Sequence, residues 1–339
     1  MTLPEIDIVI PFHKVNIELI ESIKSCKSSI GIRAKIICVN DSGVTVSILD
    51  LGLGENDKLV TTQGREGYKR ALALGVSNTT SDFVGFLDSD DLTPPNRFAI
   101  QINAMIEQNA ELATCEITKI DSVGRPISHS LEFPKPPKSP DEKISLLFGA
   151  FGADSTIVCR GAILRESWSS HAEFPPHFAD YGWFLSECSS IKIIHLANTE
   201  YFYRMHSEQM SRKVDLAKDW SLIYPYWQAW LKGLESLIPK TSSQIVNPKV
   251  ALAIAFPSSL VKLSDIEKKQ LKDFSSIFLA EIKINAPQSF KNWKRVVNLR
   301  LLVGTKQLKY LRIVVIGKIM GRLISVIRNG SKFRVSKND

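Results

Sequence analysis

The chain contains no CxxC pair. Its five cysteines, Cys26, Cys38, Cys115, Cys159 and Cys188, are scattered through apolar segments. An odd, unpatterned set argues against a disulfide framework and against a zinc site, so buried free thiols are expected. Neither Cys159 nor Cys188 has an evident base partner, which leaves little support for a cysteine nucleophile. No run of 18 apolar residues occurs, so no transmembrane helix is expected. The opening MTLPEIDIVIPFHK lacks a basic n-region, so no signal peptide is expected and the cytoplasm is the default address. The segment GLGEND (52–57) lacks the Lys and Ser/Thr of a phosphate-binding P-loop. Internal repeats and long low-complexity tracts are also missing. Acidic residues vanish near the C-terminus: residues 282–339 hold 14 Lys and Arg against Asp339 alone, while residues 1–281 hold 29 basic and 34 acidic residues. A mildly acidic body with a basic tail implies a separate anionic partner for the tail.

What is present is an ordinary soluble composition, 44% apolar and 23% charged over 339 residues, enough for one large or two small domains. The N-terminal third alternates two periodicities. IDIVIPF (6–12), AKIICVND (34–41), DKLVTTQ (57–63) and DFVGFLDSDD (82–91) are β-branched or apolar runs that predict strands. IELIESIKSC (17–26), EGYKRALALGVSNT (66–79) and RFAIQINAMIEQN (97–109) carry helical spacing. Strands separated by helices predict a parallel sheet of βαβ units, whose ligands bind beyond the carboxyl ends of the strands. Asp41 and the acidic cluster both fall at such ends. Further on, ATCEITKIDSVG (113–124) predicts a strand and turn. SHSLEFPKPPKSPDE (128–142) predicts a mobile surface loop, and STIVCRGAILRE (155–166) a strand leading into a helix. DYGWFLSECSS (180–190) predicts a helix, and KIIHLANTEYFYRMHS (192–207) a strand pair or extended segment. From about residue 213 the pattern is helical, and a boundary is expected near 212–218.

FLDSDDLTPP places Asp88, Asp90 and Asp91 within four positions, where they repel one another unless a cation or solvent intervenes. An EF-hand loop starting at Asp88 would need Gly at its sixth place and Glu at its twelfth, which hold Thr93 and Ala99. A phosphatase-like DxDx[TV] motif would need Thr or Val where Leu92 stands. A DxD motif fits: hard divalent ions take oxygen ligands and commonly use one or two protein carboxylates, with phosphate and water supplying the rest. The bland alternative is that the aspartates cap the helix that starts near Pro94.

The order of segments resembles the family 2 glycosyltransferases with the GT-A fold. IDIVIPFHK is similar to the family's opening strand. IICVNDSG is similar to its second strand with a terminal Asp-Ser. DFVGFLDSDD matches its strand-plus-DxD segment, and EYFYRMHSEQMSR resembles its Tyr-Arg-x-His segment. The resemblance spans roughly residues 5–212. It implies an α/β, Rossmann-like, mostly parallel mixed sheet flanked by helices, with a helical C-terminal region behind it. Residues 1–212 would form the GT-A domain, split into a nucleotide-sugar half (about 1–95) and an acceptor half (about 96–212). Residues 213–339 would form the helical region, with a basic amphipathic tail at 283–337.

The resemblance further implies inverting transfer of a sugar from a nucleotide sugar, such as a UDP-sugar, to a hydroxyl of a glycan or lipid-linked glycan. A divalent metal, Mn²⁺ or Mg²⁺, would be held by Asp90 and His206. Pro11 and Phe12 would wall the base and Asp41 would accept its N–H, the alternative for Asp41 being a plain turn residue. Asp88 and Ser89 would meet the ribose or a metal-bound water. Arg204 would face the diphosphate. Asp180 would take the proton from the acceptor hydroxyl, or simply cap its helix. Two positions depart from the family. Ala179 stands where a Glu is usual, and Leu72 and Ala73 fall where an Arg-Asn stretch is usual, so Arg70 or Arg65 would substitute. Tyr181, Trp183 and Phe184 divide between core and acceptor wall. His171 and His177 lie close enough in sequence to Asp180 to touch an acceptor, and surface or core duties are the default for His13 and His195. A non-catalytic member that binds nucleotide or membrane with a degenerate site stays open as the alternative.

In KYLRIVVIGKIMGRLISVIRNGSKFR (309–334), Arg312, Lys318 and Arg322 interrupt the apolar run, so a bilayer span is not expected. Two readings fit: an in-plane helix on anionic lipid at the inner face of the membrane, and a docked helix whose basic face is solvated. Nucleic acid has less support, because stacking aromatics are missing from the tail.

Overall fold

The computed structural model describes residues 2–131, 153–168, 183, 187, 191–207 and 264–285. The chain divides into two compact units, Met1–Leu237 and Ile238–Asp339. The expected boundary at 212–218 lies outside the described residues.

The first unit is built on an eight-stranded sheet in the order β3-β2-β1-β4-β7-β5-β6, with β8 paired to β5. Its strands are β1 (Glu5–Phe12), β2 (Arg33–Asn40), β3 (Lys58–Thr61), β4 (Phe83–Phe86), β5 (Leu112–Ile120), β6 (Pro126–Leu131), β7 (Val158–Arg160) and β8 (Ile193–Arg204). The β3-β2-β1-β4 half is parallel throughout. β7 runs antiparallel to β4 and β5, β6 antiparallel to β5, and β8 parallel to β5. The expected mostly parallel mixed sheet is therefore present. Because β1 pairs with β2 on one side and β4 on the other, the chain reverses its winding there. A crevice at such a switch point is where α/β sheets bind ligands.

Local signals explain the helices around it. α1 (Ile17–Lys27) starts at Asn16, whose side chain accepts the Leu19 N–H at 3.1 Å, and buries Leu19, Ser22, Ile23 and Cys26 at helical spacing. α3 (Arg97–Glu107) buries Phe98, Ala99, Ile102 and Met105. Together they cover the face of the sheet that carries Ile6, Ile8, Ile10, Cys38 and Cys115. α2 (Tyr68–Ser77) lies on the opposite face, and a Cβ at Gly75 would collide with Val9 and Val39, so the close helix–strand approach requires glycine there. α4 (Gly161–Ser167) follows β7 directly.

Some expectations are corrected. β4 ends at Phe86, because Leu87 to Asp91 leave the ladder for a turn. The expected surface loop at 128–142 opens as strand, since β6 continues to Leu131, and 132–142 lie outside the described residues. The 192–207 segment is one long strand with a register shift: Cys115 pairs Leu196, but Glu116 pairs Glu200. Four of the five cysteines are buried free thiols as expected, Cys188 lying outside the described residues. Burial pushes the Cys26 thiol up to about 12.

In the second unit the described part is α5 (Asp265–Asn285), which opens with a capping box. Ser264 N–H donates to Glu267 Oε2 at 2.7 Å, and Glu267 N–H donates back to Ser264 Oγ at 3.3 Å. Among the described residues no helix is long and apolar enough to cross a membrane.

Candidate active site

Two strand ends form the rim of the crevice. At the end of β2, Asp41 is tied to the end of β1 by its N–H donating to the Phe12 carbonyl at 2.8 Å. Its carboxylate is buried, 5% exposed, and accepts from Thr62 Oγ1 (2.8 Å), Glu66 N–H (2.7 Å) and Gly67 N–H (2.8 Å). It thus anchors the loop that leads into α2 and sits where the helix dipole favours negative charge. Three of roughly four acceptor positions on the carboxylate are engaged from within the protein. Arg65 joins this end, its Nε donating to the Ser42 carbonyl at 3.1 Å.

Beyond β4 the chain turns through Asp88, Ser89, Asp90 and Asp91. Asp88 is half-buried and its Oδ1 accepts from the Tyr68 hydroxyl at 2.8 Å. Ser89 is half-buried between the two outer carboxylates. Asp90 Oδ2 lies 2.8 Å from His206 Nε2, with the two side chains 35% and 29% exposed. The expected Asp90–His206 pair is therefore assembled, from residues 116 positions apart. Asp91 turns inward, fully buried, and accepts from the Tyr201 hydroxyl and the Arg204 N–H, both at 2.6 Å. Burial, then the charges of Asp90 and Asp88, pushes its carboxyl well above the usual range.

Tyr68 also lies 2.9 Å from Asp154 Oδ2. A phenol has one proton, so it can donate to only one of the two carboxylates. Burial raises the Asp154 carboxyl, and the geometry is satisfied when Asp154 carries a proton and donates to Tyr68 Oη while Tyr68 donates to Asp88. Burial, with Asp154 and Asp88 beside it, raises the Tyr68 phenol far above its ordinary value.

Four expectations, for Pro11, Phe12, Arg70 and Arg204, are not met as stated. Phe12 is 2% exposed and belongs to the core cluster, so its ring does not wall a base; Pro11 is buried beside it. Arg70 is exposed on α2, two residues and about 200° of helix from Tyr68, which takes the inward face. Of the two arginines considered, Arg65 is the one at a strand end. Arg204 is 1% exposed and its guanidinium is committed to the Asp90 carbonyl (2.7 Å), the Ser122 carbonyl (2.6 Å) and Glu21 Oε2 (2.8 Å), which leaves it turned away from any diphosphate. The plain-turn alternative for Asp41 gains a specific content, since the residue organises the 62–67 loop. Asp180 lies outside the described residues, as do His171, His177, Tyr181 and Phe184. Trp183 is core: its Nε1 donates to Ser167 Oγ at 2.8 Å and its ring packs 5.2 Å from Trp168. His13 is exposed, and His195 is buried against Glu116 at 2.8 Å.

Tyr68, Asp154 and Tyr201 were not singled out from the sequence for these roles. Nothing local marks them, because each reaches the turn through strand pairing or helix packing.

Among the described residues, no group of three or more His, Cys, Asp or Glu is placed to cage a metal. One carboxylate and one imidazole suit a divalent ion that a phosphate ligand and water would complete, Mn²⁺ better than Mg²⁺ because of the nitrogen donor.

The family model for glycosyl transferase family 2 matches residues 7–170. An uncharacterized glycosyltransferase of Rickettsia bellii is 29% identical over 125 residues, 36% of this chain and 18% of that protein. One from Haemophilus influenzae is 26% identical over 113 residues, 32% of this chain and 45% of that protein. The chain thus spans less than half the length of either relative. Among solved structures, S. aureus TarS 1-349 in complex with UDP-GlcNAc is similar with a TM-score of 0.57 at 13% identity, covering 99% of this chain and 95% of that one. Its UDP complex gives 0.53 at 14% identity, covering 99% and 94%. At such identities the likeness speaks to fold. The family model thus covers just under half of the chain, and the likeness to TarS supports a GT-A fold.

Proposed function

We propose that the protein is an inverting glycosyltransferase that moves a sugar from a UDP-sugar to a hydroxyl of a glycan or lipid-linked glycan. The observation that carries this is the Asp90–His206 pair, 2.8 Å apart and partly exposed beside Asp88 at the end of β4. It offers a carboxylate and an imidazole to a cation shared with a diphosphate, and water can reach both. TarS of the same fold, solved with UDP-GlcNAc and with UDP, supports a uridine-type donor.

In this reading a bound Mn²⁺ or Mg²⁺ would offset charge on the departing nucleoside diphosphate. Asp90 and His206 would hold the ion. Asp88 and Ser89 would meet the ribose or ion-bound water. The remaining acceptor position of Asp41 would take the base N–H. Arg65 is better placed than Arg70 or Arg204 to meet the diphosphate. Asp180 would accept the proton from the attacking hydroxyl. Residues 1–95 would form the donor half, 96–212 the acceptor half, and 213–339 a helical region whose basic tail, 283–337, meets anionic lipid at the inner face of the membrane.

The test is nucleoside diphosphate release from a panel of nucleotide sugars with Mn²⁺. Release that disappears in Asp90→Ala and Asp180→Asn supports the enzyme. A chain that binds UDP with Mn²⁺ yet never turns over is the non-catalytic alternative, which Ala179 in place of the usual Glu favours. For the tail, Glu at Arg312, Lys318 and Arg322 in the full chain should release it from anionic liposomes; retained binding excludes this anchor.

A further inference from the structure

We propose that β8 sets the shape of the 88–91 turn from within, with Tyr201 and Arg204 acting as positioning residues for the Asp88 and Asp90 carboxylates. The inference rests on the reading of that turn as the donor site.

Tyr201 is fully buried, and its hydroxyl spans the turn. It accepts the Asp88 N–H at 3.2 Å and donates its proton to Asp91 Oδ2 at 2.6 Å. The Ser155 side chain also hydrogen-bonds this hydroxyl, whose single proton goes to Asp91, so the hydroxyl has a defined direction. Its ring is held by the Arg97 guanidinium, 4.9 Å from the ring centroid. The other oxygen of Asp91 takes the Arg204 N–H at 2.6 Å. Arg204 then grips the turn a second time, Nε to the Asp90 carbonyl at 2.7 Å, while Nη1 and Nη2 tie it to the Ser122 carbonyl and to Glu21 of α1. Leu92 and Phe202 exchange both backbone hydrogen bonds at 3.0 Å. Two residues past Arg204 the same segment delivers His206 to Asp90.

β8 therefore touches Asp88, Asp90, Asp91 and Leu92 by separate bonds. The three aspartates divide their work. Asp88 and Asp90 stay partly exposed, and Asp91 is the internal anchor through which β8 holds them. A turn released from this anchor would let the outer carboxylates drift apart, and a cation shared with a diphosphate tolerates little misplacement.

Full-length Tyr201→Phe removes only the hydroxyl and keeps the ring on Arg97. Arg204→Lys keeps the charge but cannot reach three acceptors. Two readouts are taken on each: amide hydrogen exchange resolved at residues 88–92, and the Mn²⁺ activation curve of donor turnover with kcat and donor KM. We expect exchange at 88–92 to quicken roughly ten-fold in Tyr201→Phe while β1 and β2 keep their protection. The Mn²⁺ concentration for half-activation should rise about ten-fold and kcat should fall. Unchanged exchange at 88–92 in both variants overturns the proposal. So does faster exchange with an unaltered Mn²⁺ curve and kcat, since the site then needs no such anchor. A wild-type chain that turns over no donor overturns the donor-site reading instead, and the anchoring of the turn is then decided by exchange alone.

Discussion

The two strand ends that flank β1 in the sheet are held by opposite means. At the end of β2, Asp41 is satisfied by donors 21, 25 and 26 residues away, all in one short loop. At the end of β4, the DxD turn is held by β8 from 110 to 116 residues away. The first end holds its carboxylate inward, with one acceptor position left unengaged. The second keeps two carboxylates outward and turns one inward. The sheet's carboxyl rim thus combines a locally organised loop with a turn whose geometry depends on β8, so the second end is the more exposed to changes made far away in the chain.

The largest separation between the ends should come from Asp90→Ala. Losing the carboxylate that would offset developing charge is expected to cut turnover about 10²- to 10³-fold. Stability should stay within about 0.5 kcal/mol, because Asp90 and His206 are each partly solvated. Steady-state kinetics and urea melts check both halves. Asp41→Ala should act on stability as well as on donor binding. It strands the Gly67 N–H, while the Glu66 N–H and the Thr62 hydroxyl keep the Gly64 carbonyl, and a loss of about 1–3 kcal/mol is expected in urea unfolding. If Asp41→Ala proves neutral for stability, the inward-held description of the β2 end is wrong.

The same contrast explains what was legible in the sequence. Strand ends, helix phases and the DxD turn follow from local periodicity, and β1, β2, α1 and α3 lie where the pattern puts them. Asp90 and His206 were found because a motif order linked them. Arg204 was misjudged because an arginine near an anion site is read by its charge, while its burial arises from β8 pairing with β5 and with Leu92. Phe12 was misjudged because a strand's last residue can face core or crevice, and the face is set by α1 and α3 packing. Tyr68 and Asp154 carry no local signal at all. Their meeting depends on α2 and on the turn before β7 converging on the end of β4.

That convergence carries a pH signature. Asp154 is raised by burial above the ordinary carboxylate value, so the folded chain holds a proton that the unfolded chain releases first. Its stability contribution is full below the unfolded value near 3.8 and declines as pH rises from there toward the raised folded value. Asn at this position mimics the protonated acid: it can donate to Tyr68 Oη and still accept the Ser155 N–H. Asp154→Asn should therefore flatten the fall in thermal midpoint between pH 4 and pH 8 relative to wild type. A slope identical to wild type would mean that Asp154 is ionised beside Tyr68.

The smallest expected effect sharpens the comparison most finely, because it separates two arginines five residues apart. Arg70 is exposed on the outer face of α2, so Arg70→Ala should change stability by less than about 0.5 kcal/mol and turnover by less than about two-fold. Arg65 reaches back across the loop to the Ser42 carbonyl, beside the capped end of β2. A cation held there keeps its remaining guanidinium donors near the crevice, where a diphosphate would lie. Arg65→Ala should raise donor KM several-fold with little change in melting temperature, and added salt should shrink the difference, since an exposed charge contact is screened. If Arg70→Ala carries the larger KM effect, α2 must rotate or unwind at its first turn when donor binds, and the inward-held β2 end would describe only the free protein.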